Sequence, residues 1–135
     1  MKEFNWPIRV YYEDTDSAGV VYHSNYLRFM ERARTEWLRA LGYTHGEMNN
    51  NEQLQFVVRN MNIDFKKPAY FDELLNVNCQ IREQNAASLV FEQVIHNEQN
   101  EIKCRADVNI VCVDVKTYKP KRLPEPMRAK FSHGK

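Results

Sequence analysis

The stretch RVYYEDTDSAGVVYHSNYLRFMERARTEWLRALG, residues 9–42, decides the fold of this 135-residue chain. It begins as a short apolar strand and passes through a polar turn that carries Asp14, Asp16 and Gly19. It then continues as one long amphipathic helix. This order places a carboxylate and the imidazole of His23 at the start of a helix, where free backbone N–H groups create a local positive end.

The helix is predicted from a single apolar stripe. Its members recur every three or four residues, the spacing that places side chains on one face of an α-helix. They are Tyr26, Met30, Ala33, Trp37 and Leu41. Ser24 or Asn25 is the predicted N-cap, because short polar side chains accept hydrogen bonds from the free N–H groups of a first turn. Gly42 is the predicted C-terminal stop.

Strand-like runs surround this helix. Before it, Ile8, Val10 and Tyr12 alternate with Arg9 and Tyr11 and predict a first strand. After it, four runs are strand-like: residues 60–65, 75–82, 89–95 and 102–112. Alternation of apolar and polar residues is typical of antiparallel strands with one covered face. One strand, one helix and four strands predict an α+β arrangement in which the helix covers the sheet.

The remaining segments are polar. Residues 44–53, which include three consecutive asparagines, are predicted to form a loop. Residues 116–135 are predicted to be a surface tail with a short C-terminal helix that ends near Phe131. The length suits one domain and no internal repeat is visible, so residues 1–135 are predicted to form a single domain.

Composition limits the classes of function. With 43% hydrophobic and 27% charged residues the chain is ordinarily globular, and a net charge of +1 gives no reason to expect nucleic acid as a partner. No apolar run is long enough for a signal peptide or a membrane span. Three cysteines without CxxC spacing argue against disulfides and zinc. The predicted compartment is the cytoplasm, and no metal or other cofactor is expected.

Asp14 and Asp16 admit two roles. Aspartates before a helix commonly cap it or close an Asx turn. A calcium loop that began at Asp14 would need an oxygen ligand at Ala18 and a glutamate at Asn25, so this interpretation fails. In the catalytic interpretation, a carboxylate attacks an acyl carbon or deprotonates water, and the helix N–H groups bind the oxyanion. A thioester suits this equipment, because its thiol leaves without a strong general acid.

The motifs of residues 9–42 resemble those of a known family. They are Tyr11-Tyr12-Glu13-Asp14-Thr15-Asp16, Gly19-Val20-Val21-Tyr22-His23, Asn25-Tyr26 and Glu31-Arg32-Ala33-Arg34, with weaker echoes at Ser88-Leu89-Val90-Phe91, Val111-Cys112-Val113-Asp114, Lys119-Pro120 and Leu123-Pro124. The chain resembles hotdog-fold acyl-CoA thioesterases, and in particular the YbgC-type, Tol-Pal-associated branch of the 4-hydroxybenzoyl-CoA thioesterase family. The resemblance implies a hotdog domain, in which a five-stranded antiparallel sheet wraps around one long helix.

The resemblance also implies roles for individual residues. Asp16 matches the catalytic carboxylate, which acts as nucleophile or general base. His23 matches the residue at the helix start whose backbone N–H polarises the thioester carbonyl and whose imidazole assists. Asp14 is left with a structural role. The predicted substrate-binding residues are Tyr12, Gly19, Val20, Val21, Tyr22 and Asn25.

Glu31 is a further carboxylate on the predicted helix. A related hotdog branch uses a helix carboxylate as its catalyst. Here Arg28 and Arg34 lie at helical-neighbour spacing from Glu31, which predicts an ion pair instead.

The implied substrate is an acyl-CoA, hydrolysed to the free acid and CoA by a homodimer or a tetramer of dimers. The 4-hydroxybenzoyl-CoA enzyme holds the nucleotide phosphates with a basic turn, whereas the matching turn here, Asn85-Ala86-Ala87, is uncharged. CoA and acyl carrier protein therefore both remain open as the carrier of the acyl group. The substitute phosphate ligands are Arg82, Lys119, Lys121 and Arg122.

Two alternative functions remain open. One is a non-hydrolytic hotdog protein that binds acyl groups or docks with acyl carrier protein or phospholipid-synthesis enzymes. The other is a hotdog dehydratase, which needs a catalytic histidine paired with an acid from the partner subunit. The Asp-x-x-Gly turn at residues 16–19 favours the thioesterase over the dehydratase.

Overall fold

The secondary-structure elements follow the predicted order, with one short helix added. The structure is a computed structural model that describes residues 3–133. Its elements are β1 (Phe4–Arg9), a 3₁₀ turn (Tyr12–Asp14), α1 (His23–Ala40), α2 (His45–Asn51), β2 (Leu54–Phe65), β3 (Leu74–Gln84), β4 (Ser88–Asn97), β5 (Ile102–Asp114) and α3 (Glu125–His133). No helix among these residues combines the length and the apolar content that a membrane crossing requires.

All five strands belong to one antiparallel sheet in the order β1-β3-β4-β5-β2. Two hairpins lie within this sheet, since β3 pairs with β4 across the turn after Gln84 and β4 pairs with β5 across the turn after Asn97. The first strand ends earlier than predicted, at Arg9, because Tyr12 enters the 3₁₀ turn. Since β1 and β2 are the outer strands, each pairs with only one other strand of the described chain.

Helix α1 buries the predicted stripe. Tyr26, Met30, Ala33, Trp37 and Leu41 are all buried. The predicted N-cap is wrong. Tyr22 occupies the cap position, and Asn25 lies inside the first turn with its side chain facing the interior. The predicted stop is confirmed. Gly42 follows the helix with φ of +98°, a conformation that favours glycine.

The predicted loop at residues 44–53 is wrong over most of its length, because α2 forms there. The Thr44 side chain accepts a hydrogen bond from the backbone N–H of Glu47 at 3.3 Å and caps the helix. Met48 then buries its side chain in the core. A run of asparagines is typical of a loop, so the sequence did not predict this short amphipathic helix.

The predicted surface tail also differs from the structure. Its short helix is present as α3, but Leu123, Met127 and Phe131 are fully buried. Met127 and Phe131 are spaced by four and lie on one face of α3, and Leu123 comes just before the helix. Together the three side chains close one end of the core. Residues 134–135 of the predicted tail lie outside the described part of the chain.

Candidate active site

The turn that carries Asp16 folds back on itself. Thr15 and Val21 face each other in an isolated antiparallel bridge, and the Asp16 N–H donates to the carbonyl of Val20 at 2.9 Å. At the tip, Oδ1 of Asp16 accepts the N–H of Ala18 at 2.9 Å, which makes an Asx turn. Asp16 is solvent exposed, so its carboxylate is held in position and still accessible.

Gly19 is needed for the backbone of this turn. Its φ is +82°, a conformation that disfavours residues other than glycine, and no atom lies within 4 Å of the position that a Cβ would take. The glycine therefore serves the backbone conformation within this chain.

The segment before β3 braces the turn against α1. Val20 forms an antiparallel bridge with Tyr70, and the Val21 N–H donates to the carbonyl of Ala69 at 2.9 Å. The N–H of Ala69 in turn donates to the hydroxyl of Tyr26, in α1, at 3.0 Å. Burial raises the pKa of Tyr26, which keeps this hydroxyl protonated at neutral pH. The turn and the helix are thus attached to the same short segment.

Asp14 has a structural role. Its side chain is only 4% exposed, and its two carboxylate oxygens accept the Tyr11 N–H and the Asn25 side-chain amide, each at 2.8 Å. Its carbonyl also accepts the N–H of Tyr22 at 3.1 Å. These contacts connect the carboxylate turn directly to the first turn of α1.

The start of α1 offers free hydrogen-bond donors. No side chain caps the helix, and no acceptor within residues 3–133 takes the N–H of His23 or Ser24. The next N–H, of Asn25, is already bonded to the carbonyl of Tyr22 at 2.9 Å. Two free donors at the positive end of an 18-residue helix can bind a carbonyl oxygen or an oxyanion.

The six predicted substrate-binding residues fall into two groups. Tyr12, Gly19 and Tyr22 are exposed and Val20 is half-buried, whereas Val21 and Asn25 face the interior. The inward pair holds the turn in place, Val21 through packing in the core and Asn25 through its bond to Asp14. Contact of any of the six with a substrate stays a prediction.

Exposed aromatic rings surround the turn, and three of them were missed by sequence analysis: Phe65, Tyr70 and Phe71. The ring of Phe65 lies 4.8 Å from that of His23, centre to centre, and the ring of Phe71 lies 5.9 Å from that of Tyr12. The alternation of apolar and polar residues in β2 predicted Phe65 as a strand residue. No local pattern indicated that the ring of Phe65 or that of Phe71 would lie beside the turn.

The predicted ion pair of Glu31 is not formed. Arg28 donates to the side-chain oxygen of Asn25 at 3.3 Å, and Arg34 donates to that of Gln93 at 2.9 Å. Glu31 is exposed and takes part in no salt bridge among the described residues.

The basic residues predicted as phosphate ligands lie beside the uncharged turn at residues 85–87. The Leu123 N–H donates to the carbonyl of Ala86 at 2.9 Å, which brings residues 119–123 alongside. Arg82 is paired with Asp107 at 2.9 Å, and the ammonium of Lys121 donates to the Glu52 carbonyl at 2.7 Å. Lys119 and Arg122 are exposed.

The cysteines are poorly suited to act as nucleophiles, and the described residues form no metal site. The three cysteines are buried, and burial raises the pKa of Cys79 and Cys104 to about 12 and that of Cys112 to about 11. They are therefore neutral thiols and poor nucleophiles at pH 7. Within residues 3–133, no three His, Cys, Asp or Glu side chains are grouped so that they could hold a metal ion.

One long helix held in a five-stranded antiparallel sheet, with a carboxylate turn at the helix start, defines the hotdog class of fold that the motifs implied. Residues 10–131 match the Thioesterase-like superfamily, and the chain belongs to this family. The resemblance seen in the motifs is thus confirmed.

Individual relatives are similar over nearly the whole chain. The acyl-CoA thioester hydrolase YbgC of Escherichia coli O6:H1 is 44% identical over 128 residues, which cover 95% of each chain. The acyl-CoA thioesterase YbgC of Haemophilus influenzae is 43% identical over 132 residues, 98% of this chain and 96% of the relative. The crystal structure of a probable thioesterase from Bartonella henselae superposes with a TM-score of 0.87 at 37% identity, covering 91% of this chain and all of that one.

Proposed function

We propose that this protein is an acyl-CoA thioesterase, which hydrolyses an acyl-CoA to the free acid and CoA. The observation that carries the proposal is the exposed Asp16 carboxylate on a turn braced against a helix start with two free N–H groups. The names of the similar proteins from Escherichia coli and Haemophilus influenzae support the acyl-CoA substrate.

In this mechanism the thioester carbonyl accepts hydrogen bonds from the N–H groups of His23 and Ser24. Asp16 either attacks the acyl carbon or takes a proton from a water that attacks it. The negative charge that develops on the carbonyl oxygen is stabilised by the two N–H groups and the helix dipole. The C–S bond then breaks and the thiolate of CoA leaves. In the route of direct attack this leaves a mixed anhydride on Asp16, which water cleaves to the free acid and the Asp16 carboxylate. The exposed imidazole of His23 assists from the same end of the helix.

CoA is the proposed carrier of the acyl group. Lys119 and Arg122 are exposed and lie on the segment that runs beside the turn at residues 85–87. They replace the missing basic residues of that turn as ligands for the nucleotide phosphates.

The test of the proposed function is release of a free thiol from a panel of acyl-CoAs. We expect stoichiometric release of CoA and acid, undiminished after exhaustive treatment of the enzyme with EDTA, because Asp16, His23 and backbone N–H groups perform the proposed steps without a metal ion. Binding of acyl-CoA without thiol release would support the non-hydrolytic alternative. Loss of activity that a divalent ion restores would show that the carboxylate turn holds a metal.

We expect the protein to form a homodimer or a tetramer of dimers. In the described chain β2 pairs only with β5, so its outer edge keeps free backbone donors and acceptors. Val58 on β2 and Leu27 on α1 expose apolar surface on this side of the domain. A second copy that pairs along β2 would cover both features beside the candidate site.

Light scattering at micromolar concentration measures the assembly. Val58→Lys is expected to shift it toward the monomer, because the change places a charge in the proposed contact. Ile102→Lys is the matched control, since Ile102 is similarly exposed at the start of β5. A stable wild-type monomer would contradict the proposed assembly.

A further inference from the structure

A cavity of about 340 Å³ lies between α1, α2 and the sheet. Its walls are largely apolar, with aromatic rings from Trp37, Phe56 and Phe91. Its polar lining includes the side chains of Glu31 and Arg34. This volume and this mixture of apolar walls with few polar groups are typical of small-molecule sites.

A groove between α1 and β2 adjoins the cavity and extends toward the start of α1. The groove and the cavity share Glu31, Arg34 and Val58, and the groove extends to Leu27. Leu27 lies about one helical turn after His23, at the end of α1 where the thioester is proposed to bind. An acyl group attached at that thioester therefore has a path along the helix into the cavity.

Arg34 is the unusual member of this lining. It is only 9% exposed, and its one hydrogen bond to the described residues joins Nη1 to Oε1 of Gln93 at 2.9 Å. Gln93 is itself held by a bond from Nε2 to the carbonyl of Met30 at 3.1 Å. No salt bridge within residues 3–133 includes Arg34.

The guanidinium of Arg34 has donors available for a further acceptor. It carries five N–H donors, and the described residues accept from it only once. Burial lowers the pKa of Arg34, while the neighbouring Cys79 and Glu31 oppose the shift. Because Arg34 lines both the groove and the cavity, an acceptor on a molecule inside them would meet these donors.

Glu31 limits which acceptor suits the site. It lines the same groove and cavity, so one negative and one positive side chain act on the same ligand. Together they favour a neutral group over a carboxylate. A hydroxyl fits both, because it accepts a hydrogen bond from Arg34 and donates one to Glu31.

We propose that the channel binds the acyl group of the substrate and that this acyl group carries a hydroxyl bonded by Arg34 and Glu31. The proposal rests on the proposed thioesterase function and defines its substrate class as medium-chain hydroxyacyl thioesters. From His23 to Arg34 the helix rises about 16 Å, and the arginine side chain leans back toward the helix start. The hydroxyl therefore lies well away from the thioester, and a two-carbon acyl group ends before it.

The test compares ω-hydroxyoctanoyl-CoA with octanoyl-CoA. We expect the wild type to favour the hydroxylated substrate in kcat/KM by about 10- to 100-fold, the effect of a hydrogen bond to a charged group. Arg34→Met should abolish this preference, and Glu31→Gln should reduce it. Arg39→Met, which removes an exposed arginine of the same helix paired with Glu36, should keep the wild-type ratio. A merely structural role of Arg34 would lower kcat/KM for both substrates alike, so the ratio of the two values reports on binding of the hydroxyl.

Two kinetic outcomes would overturn the proposal. One is a wild type without preference for the hydroxylated substrate. The other is an unchanged preference in Arg34→Met. This outcome would overturn the proposal even if the variant no longer assembles with its partner subunit. If Arg34→Met does not fold, the two substrates are compared in Glu31→Gln instead, because Glu31 is exposed and its substitution should not disturb the fold.

A binding measurement separates this proposal from the proposed function. In a Trp6→Phe background, Trp37 is the remaining one of two tryptophans and reports on its own cavity. If neither thioester is cleaved, the proposed function fails. Tighter binding of ethyl ω-hydroxyoctanoate than of ethyl octanoate, lost in Arg34→Met and reduced in Glu31→Gln, would still support the hydroxyl site. Equal binding of the two esters, or no binding, would overturn it.

Discussion

Asp16→Asn is expected to lower kcat by about 10²–10⁴, the range for loss of a general base, and by more if the carboxylate attacks directly. The amide has nearly the same shape and keeps an oxygen that can accept the N–H of Ala18, so the turn should fold. It has neither the charge nor the basicity that the reaction needs. KM should change little, because the carboxylate acts mainly in the transition state. Steady-state kinetics on the best acyl-CoA measures both parameters.

The matched control for Asp16→Asn is Glu13→Gln, which removes another exposed carboxylate from the same turn. Asp14→Asn is unsuitable as a control, because the buried Asp14 carboxylate accepts two hydrogen bonds and its loss should destabilise the turn. If folded Asp16→Asn keeps more than about a tenth of wild-type kcat, Asp16 is not the catalyst. Glu31 and His23 would then be the next groups to test.

Phe131→Ala is expected to lower the free energy of unfolding by about 3–5 kcal/mol, the usual cost of removing a buried phenylalanine. Phe131 is fully buried, and its ring lies 4.9 Å from that of Trp37 and 6.5 Å from that of Phe56, centre to centre. The substitution leaves a cavity where α3 closes the core beside α1 and β2. Urea unfolding followed by circular dichroism measures the loss.

Ser132→Ala is the control for Phe131→Ala, because Ser132 is exposed on the same helix and its hydroxyl makes one bond, to Gln84. Its free energy of unfolding should stay within about 0.5 kcal/mol of the wild type. A similarly small effect of Phe131→Ala would mean that α3 behaves in solution as the surface tail predicted from the sequence.

The sequence alone was sufficient for the elements whose pattern is local and long. The apolar stripe of α1 and the alternation in β3 and β5 determined their type, because burial on one face imposes a regular spacing. The short elements were predicted less well. The helix α2 depends on one capping residue and one buried side chain, Thr44 and Met48, within a polar run. Near the C-terminus the basic and proline-rich composition concealed that Leu123, Met127 and Phe131 would be buried.

For the site, the motif around Asp16 and His23 indicated the carboxylate turn and the start of α1, because these residues are close in the chain. Tertiary structure alone decided the rest. It placed Tyr70 against the turn and Phe65 against His23, and it buried Arg34 against Gln93 instead of Glu31. These contacts join segments far apart in the sequence, and they form only when the sheet and α1 pack together. A local pattern of residue types records which side chains are to be buried, but the partners they meet depend on that packing.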